Sequence, residues 1–382
     1  MPSAGSPIRV DAKLVVFLAA VVIVVTTVHQ LADAHYDFGV FYYAARMVWE
    51  GARTSLYNLS AQRAFQVRYG RPADLIFCSP PFALAPYLPL ALLPIRAAFI
   101  IWTIVLVGLF TASVESLAFR TGLRYDNWPL LLSLAFMPVV TSLTHGQLSI
   151  VVLSAYVWCY ALWDDGKRFI GGLVLALATV KFQLVAGFIC VLVLKKKWRE
   201  LGGFGLGCAP LLGLSFLVEG WHGLLSYPAL LAHEETTAGV IPPGMASIRG
   251  LVSLLAGPRG HTTLVAALSV AVVVLAATTW KDLQTGFAAG VLASMLASYH
   301  FNPQDLSLVL IPLFFGMKYF SWKATERVIA GAVVLPTLLW FAHCFCLLAI
   351  PLALMVIWVR TWRLQSQEDD LSIQNSEPEG SL

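Results

Sequence analysis

Four short polar stretches interrupt a chain that is otherwise mostly apolar. Ala34-His35-Tyr36-Asp37-Phe38-Gly39 places a carboxylate just past the first long apolar run. His145-Gly146-Gln147 is a tight polar turn between two apolar segments, and Lys181 stands alone between two more. Tyr299-His300-Phe301-Asn302-Pro303-Gln304-Asp305 gathers four polar side chains in a few residues. A carboxylate at a membrane surface can take a proton from a hydroxyl. A lone lysine in an apolar setting is costly unless it is paired or faces water, and an anion such as a lipid phosphate is a natural partner. His300 has the chemistry to orient an acceptor, carry a proton or hold a phosphate. Each has a plainer reading. Asp37 and Asp305 can cap helices, Lys181 can snorkel, and His145 and Gln147 can be ordinary turn residues.

The elements that must position these residues are membrane helices. The 382 residues are 58% hydrophobic and 12% charged, with a mean hydropathy of +0.76. Soluble domains carry roughly 25% charged residues. The chain therefore reads as an all-α polytopic membrane protein, with membrane lipids as its solvent and nothing that suggests nucleic-acid binding. About twelve spans are expected: Leu14–Leu31, Ala97–Phe119, Trp128–Thr144, Gln147–Trp163, Phe169–Val180, Phe182–Leu194, Leu201–Val218, Thr262–Trp280, Leu283–Tyr299, Leu306–Phe320, Val328–Ala342 and Phe345–Val359. Leu14–Leu31 is followed by Ala32-Asp33-Ala34, which resembles a cleavage site. Its apolar core exceeds the ~7–15 residues of secretory signals, so an uncleaved first helix is expected.

Basic residues set the orientation. With both termini cytoplasmic, Arg9, Lys13, Arg120, Arg124, Lys167, Arg168, Lys195-Lys196-Lys197, Arg199, Lys281, Lys318, Lys323, Arg327, Arg360 and Arg363 fall inside. This requires two half-spans turning at Lys181 rather than one helix through it. Asp37, His145, Gln147, Lys181, His300 and Asp305 then share the outer face with two long loops, His35–Arg96 and Glu219–His261. Residues 1–365 form one transmembrane domain and the polar 366–382 a disordered cytoplasmic tail.

Apolar residues at 38, 41, 45 and 48, stopped by Gly51, predict an amphipathic helix at the outer interface with Asp37 at its N-terminal end. Such an end favours an ionised carboxylate. Ser60–Tyr69 reads as a second short helix, and Asn58-Leu59-Ser60 fits a glycosylation sequon. Pro80-Pro81 breaks the chain where irregular backbone could line a cavity. The six cysteines form no CxxC pair, and Cys344-Phe345-Cys346 beside His343 is read as packing rather than metal binding.

In this order the pieces resemble glycosyltransferase family 87, the polyprenyl-phosphate-mannose-dependent mannosyltransferases of the GT-C class. The resemblance rests on Asp37-Phe38, Tyr42-Tyr43-Ala44-Ala45-Arg46 and Gly51, then Ser79-Pro80-Pro81-Phe82, Gly146-Gln147 with Ser149, Gly171-Gly172 leading to Lys181, and His300 with Asp305. The chain departs from it at Phe182, where the family often has proline, and at Gln304, where it often has tyrosine. The resemblance implies a GT-C fold in the bacterial plasma membrane, a polyprenyl-phosphate-sugar donor and a lipid-linked or glycan acceptor. It makes Asp37 the general base, with inversion at the anomeric carbon. Lys181, His300, Arg46 and Arg249 would bind the donor's phosphate or sugar, supported by Tyr42, Tyr43, His145, Gln147 and Asp305. Asp37 has no acidic neighbour two residues away, so no metal or other cofactor is expected. A lipid or sugar transporter is the competing reading, since it also places polar groups in helix breaks.

Overall fold

The computed structural model describes residues 36–70, 76–122, 130, 133–134, 136–237, 245–257 and 261–319. The spans expected at Leu14–Leu31, Val328–Ala342 and Phe345–Val359, and the tail at 366–382, lie outside the described residues, as do Arg9, Lys13 and Arg124. The described chain is helical, without a strand among these residues. In order it forms α1 (Tyr36–Trp49), α2 (Leu59–Arg68), a 3-10 turn at Pro81–Leu84, α3 (Tyr87–Leu90), α4 (Ile95–Thr121), α5 (Met137–His145), α6 (Ser149–Asp164) and α7 (Arg168–Leu175). A 3-10 stretch, Ala176–Leu184, leads to α8 (Ala186–Leu194) and α9 (Trp198–Thr237). Then come α10 (Ile248–Ala256), α11 (Thr262–Thr278), α12 (Leu283–Ala297), a 3-10 stretch at Pro303–Val309 and α13 (Leu310–Tyr319).

Two helices are long and apolar enough to cross a membrane by themselves, Ile95–Thr121 and Trp198–Trp221. Two bent pairs, Met137–His145 with Ser149–Asp164 and Arg168–Leu184 with Ala186–Leu194, raise the number to as many as four. Thr262–Thr278, Leu283–Ala297 and Pro303–Gly316 are apolar but shorter. The expected segments Trp128–Thr144 with Gln147–Trp163, and Phe169–Val180 with Phe182–Leu194, correspond to these bent pairs.

The chain divides into two compact units. The first holds α1–α7, most of α9 and residues Gln304–Ser307. Within it, α4 presents Ala98, Phe99, Trp102, Leu106, Phe110, Val114 and Leu117 inward at helical spacing. Its other face leaves Ile100, Ile104 and Val105 exposed at 47%, 66% and 44%. A helix apolar on both its buried and its exposed faces suits lipid as solvent. Ser113 Oγ donates to Ser154 Oγ at 3.0 Å, a polar tie between α4 and α6. At the ends of those helices Arg120 bonds Asp164 at 2.7 Å and Asp165 at 3.0 Å. The Arg120 hydrogen bond holds the exposed Asp165 carboxyl below its ordinary range. Glycines let α9 approach α7: a Cβ on Gly203 would stand 2.0 Å from the Phe169 carbonyl, and one on Gly207 would stand 2.7 Å from that of Leu173. This is the small-residue packing of membrane helices.

The second unit holds Gln183–Leu201, Pro242–Pro303 and Leu308 onward. Its core packs Phe188 edge-on against Phe287, 5.0 Å between ring centroids. Gly187 lies against the Ser294 backbone, where a Cβ would come within 2.7 Å. Ser294 Oγ donates to the Leu184 carbonyl at 2.6 Å. Asp282 caps α12 through a reciprocal pair with Thr285.

One expectation needs correction. Helix α1 forms where the spacing put it, and Gly51 turns the chain at φ +81°. It is not an amphipathic helix with one face to solvent, because residues 38–45 and Met47 are all buried. Its aromatic side chains pack on every side, Phe38 on Phe99 and Tyr87, and Phe41 on Tyr87 and Phe77. Asn58 is the N-cap of α2, accepting from the Ala61 amide at 3.0 Å. The sequon pattern there therefore carries a structural bond. The segment expected as the outer loop 219–261 contains helix: α9 breaks at Gly220 and resumes to Thr237, and α10 follows.

Candidate active site

Asp37 lies in the first turn of α1. Its Oδ2 stands 3.4 Å from His145 Nδ1, and the two side chains are 25% and 31% exposed. The turn after α5 makes this contact. Gly146 takes the left-handed conformation at φ +69° and caps the helix. A Cβ there would press on Phe38 Cβ at 3.0 Å and on Trp102 at 3.2 Å. Only glycine at 146 therefore lets the turn seat against the start of α1. Trp102 Nε1 donates to the Gly146 carbonyl at 2.9 Å and pins the turn. The chain then bends by 117° into α6. Gln147 is buried in that bend, its backbone amide donating to the Ser142 carbonyl at 2.8 Å. Burial, and then the Asp37 carboxylate, hold the Tyr87 phenol well above its ordinary pKa, so it is a neutral neighbour of the acid.

Four residues past His145, Ser149 joins a second constellation. Lys181 Nζ lies 2.6 Å from Asp305 Oδ1 and 3.0 Å from Ser149 Oγ. Ser149 Oγ in turn donates to Asp305 Oδ1 at 2.7 Å. Asp305 is fully buried, and the Lys181 side chain is 11% exposed. Lys181 leaves helical geometry (φ −129°, ψ 70°), so the half-helices break at the lysine as the charge pattern required. Asp305 does not act as a simple helix cap. Its carboxylate meets a cation and a hydroxyl, the pairing a buried charge needs. One bent element, α5–turn–α6, thus supplies His145 to Asp37 and Ser149 to the lysine–aspartate pair. Ser142 Oγ, on the same element, donates to the Gln304 carbonyl at 3.2 Å.

The other expected site residues go elsewhere. Arg46 donates to the Ala91 carbonyl at 3.2 Å and lies 3.3 Å from Glu50, within reach of the Tyr69 hydroxyl at 3.4 Å. Tyr42 donates to the Leu93 carbonyl at 2.7 Å and Trp49 to that of Leu88 at 2.7 Å. Together these donors cover carbonyls left open at the end of α3, and Tyr43 packs edge-on against Tyr42. Arg46, Tyr42 and Tyr43 accordingly form the framework beneath Asp37. Arg249 and His300 belong to the second unit. There Arg249 donates to the Tyr299 carbonyl at 3.1 Å and lies 3.8 Å over its ring, and the His300 carbonyl accepts from Ser298 Oγ at 2.8 Å. Among the described residues, no three His, Cys, Asp or Glu side chains gather as metal ligands.

The Lys181–Asp305 pairing was not read from the sequence, although two isolated opposite charges in apolar segments are the sign of such a pair. Glu219 is buried at the Gly220 break, a position that no local sequence signal marks.

The model of glycosyltransferase family 87 matches residues 77–303, more than half of the chain. The chain belongs to this family. It is therefore a glycosyltransferase, acting on a sugar donor and an acceptor, and its apolar helices make it a membrane enzyme. The match covers His145, Gln147, Ser149, Lys181, Arg249 and His300, while Asp37, Tyr42, Tyr43, Arg46 and Asp305 lie outside it. No curated protein and no solved structure matches the chain.

Proposed function

We propose that this family 87 enzyme moves a hexose, mannose, from a polyprenyl-phosphate donor to a lipid-linked or glycan acceptor. The reaction takes place on the outer face of a bacterial plasma membrane, and Asp37 is the general base. The contact between Asp37 and His145 carries the reading. A carboxylate at a helix start, oriented by an imidazole and partly open to solvent, can receive a proton from a hydroxyl. His145 Nδ1 steadies one carboxylate oxygen from 3.4 Å, and catalytic hydrogen bonds of this length commonly shorten in substrate complexes.

The step balances as a direct displacement. The acceptor oxygen bonds to the anomeric carbon as the bond from that carbon to the phosphate oxygen breaks. The hydroxyl proton passes to Asp37, and the prenyl monophosphate leaves with the bonding pair. Attack from the face opposite the phosphate inverts the centre, giving an α-linkage from a β-linked donor. Charge on the departing phosphate calls for cations and hydrogen-bond donors. Lys181 retains a role for whatever donor capacity Asp305 and Ser149 leave it. Arg46 acts through the framework. The chemistry is assigned to protein groups alone, without a metal.

The test is a reconstitution. Full-length protein in proteoliposomes, given polyprenyl-phosphate-[14C]mannose and a membrane glycolipid extract, is expected to build a labelled product while the donor bond is cleaved. Labelled donor crossing the bilayer intact, with no product, would instead make the chain a transporter.

A further inference from the structure

Glu219 is 2% exposed, and neither carboxylate oxygen has a hydrogen-bond partner. A buried carboxyl left without partners is costly to keep. It is also built in with care. Glu219 is the last residue of the long apolar run of α9 before the break at Gly220, where φ is +77°. Gly223 makes room for it, because a Cβ at 223 would stand 2.1 Å from the Glu219 carboxyl carbon.

The surroundings belong to the same unit. One turn earlier on α9, Ser215 Oγ accepts from the Phe82 amide at 3.2 Å, which fixes the Ser79–Phe82 segment against this helix. Tyr57 donates to the Ser79 carbonyl at 2.7 Å. Its ring lies 5.1 Å from that of Tyr227 and stacks 6.0 Å from Phe77. Burial, and next the Glu219 carboxyl, push the Tyr57 phenol above its ordinary pKa, which puts the acid close to that ring. Among the described residues no cation pairs with Glu219, so they offer an anionic phosphate nothing to hold it here. A carboxyl with two unused oxygens beside two phenol faces instead matches a neutral, hydroxyl-rich ring.

We propose that Glu219, Tyr57 and Tyr227 form a pyranose subsite, in which the carboxyl bridges two sugar hydroxyls and the phenol rings cover one face of the sugar. The subsite rests on the glycosyl-transfer reading above, and the sugar is either the donor's or the acceptor's.

The experiment has a binding arm and a kinetic arm, both on full-length protein in nanodiscs. Saturation-transfer NMR with methyl α-D-mannopyranoside and methyl α-D-glucopyranoside is expected to give ring-proton signals with wild type. Affinity should weaken about tenfold in Glu219→Gln, where hydrogen bonds are mismatched in a site built to make them, and vanish in Glu219→Leu. In steady state, Glu219→Gln should raise one KM about tenfold with kcat changed far less. A rise in acceptor KM assigns the acceptor's sugar, and a rise in donor KM assigns the donor's. Wild-type binding by Glu219→Leu, with both KM values unchanged in Glu219→Gln, would overturn the subsite and leave a structural acid. Displacement of the pyranoside signal by tetramethylammonium would overturn it in favour of a cation site. Failure of glycosyl transfer by wild type, with Glu219-dependent pyranoside signals intact, would sink the proposed reaction and leave the subsite standing.

Discussion

Asp37→Asn is expected to fold, elute and melt like wild type while losing transfer by about 10²- to 10⁴-fold in kcat, the range that a positioned base contributes. The amide preserves the shape beside His145 and removes only the capacity to take a proton. His145→Ala should cost less, because the base survives and only its orientation is loosened. The comparison is made by single-turnover transfer from labelled donor, with folding followed by fluorescence-detected size exclusion. Full activity in Asp37→Asn would remove Asp37 from the chemistry. A loss confined to KM would make it a sugar ligand instead.

Breaking the buried pair should have the largest effect on stability. Lys181→Ala removes the cation from the fully buried Asp305 carboxylate, and Asp305→Ala removes the anion from the ammonium. Each single change is expected to cost about 3–5 kcal/mol, the usual consequence of leaving one buried charge without its partner. The double variant Lys181→Met/Asp305→Leu removes both charges and fills the space, so it should lose much less than the two singles together. Thermal unfolding in detergent reads this directly. Single variants within about 0.5 kcal/mol of wild type would show that the pair is not a buried lock. Activity should fall with the singles as well, because Ser149 sits on the element that carries His145 to Asp37.

How much of this was legible in the sequence differs from residue to residue. Helix α1 announced itself through apolar residues at 38, 41 and 45 and a glycine stop, and these are local signals. Its burial on all sides was not legible, because an alternating aromatic and small-residue sequence fits an interface as well as a core. The break at Lys181 followed from charge arithmetic alone. The partner of Lys181 did not, since Asp305 is 124 residues away and pairing across that distance depends on tertiary packing. The turn at Gly146 was recognisable as a turn. That it delivers His145 to Asp37 depends on the missing Cβ and on Trp102 and Phe38 closing around it. Arg46 looked like a phosphate ligand because it is a cation near the acid, but the carbonyl ends of α3 supplied closer acceptors. The count of about twelve spans rests on hydropathy alone, since the described residues hold two helices long enough to cross and two pairs bent by 117° and 115°.

The configuration of the new bond tests the central claim most directly. Wild-type enzyme given a β-linked polyprenyl-phosphate-mannose should release a product whose one-bond C1–H1 coupling is that of an α-mannoside, as single displacement assisted by Asp37 requires. A β-mannoside from the same donor would contradict the account, since retention demands a covalent intermediate and a nucleophile in place of a base.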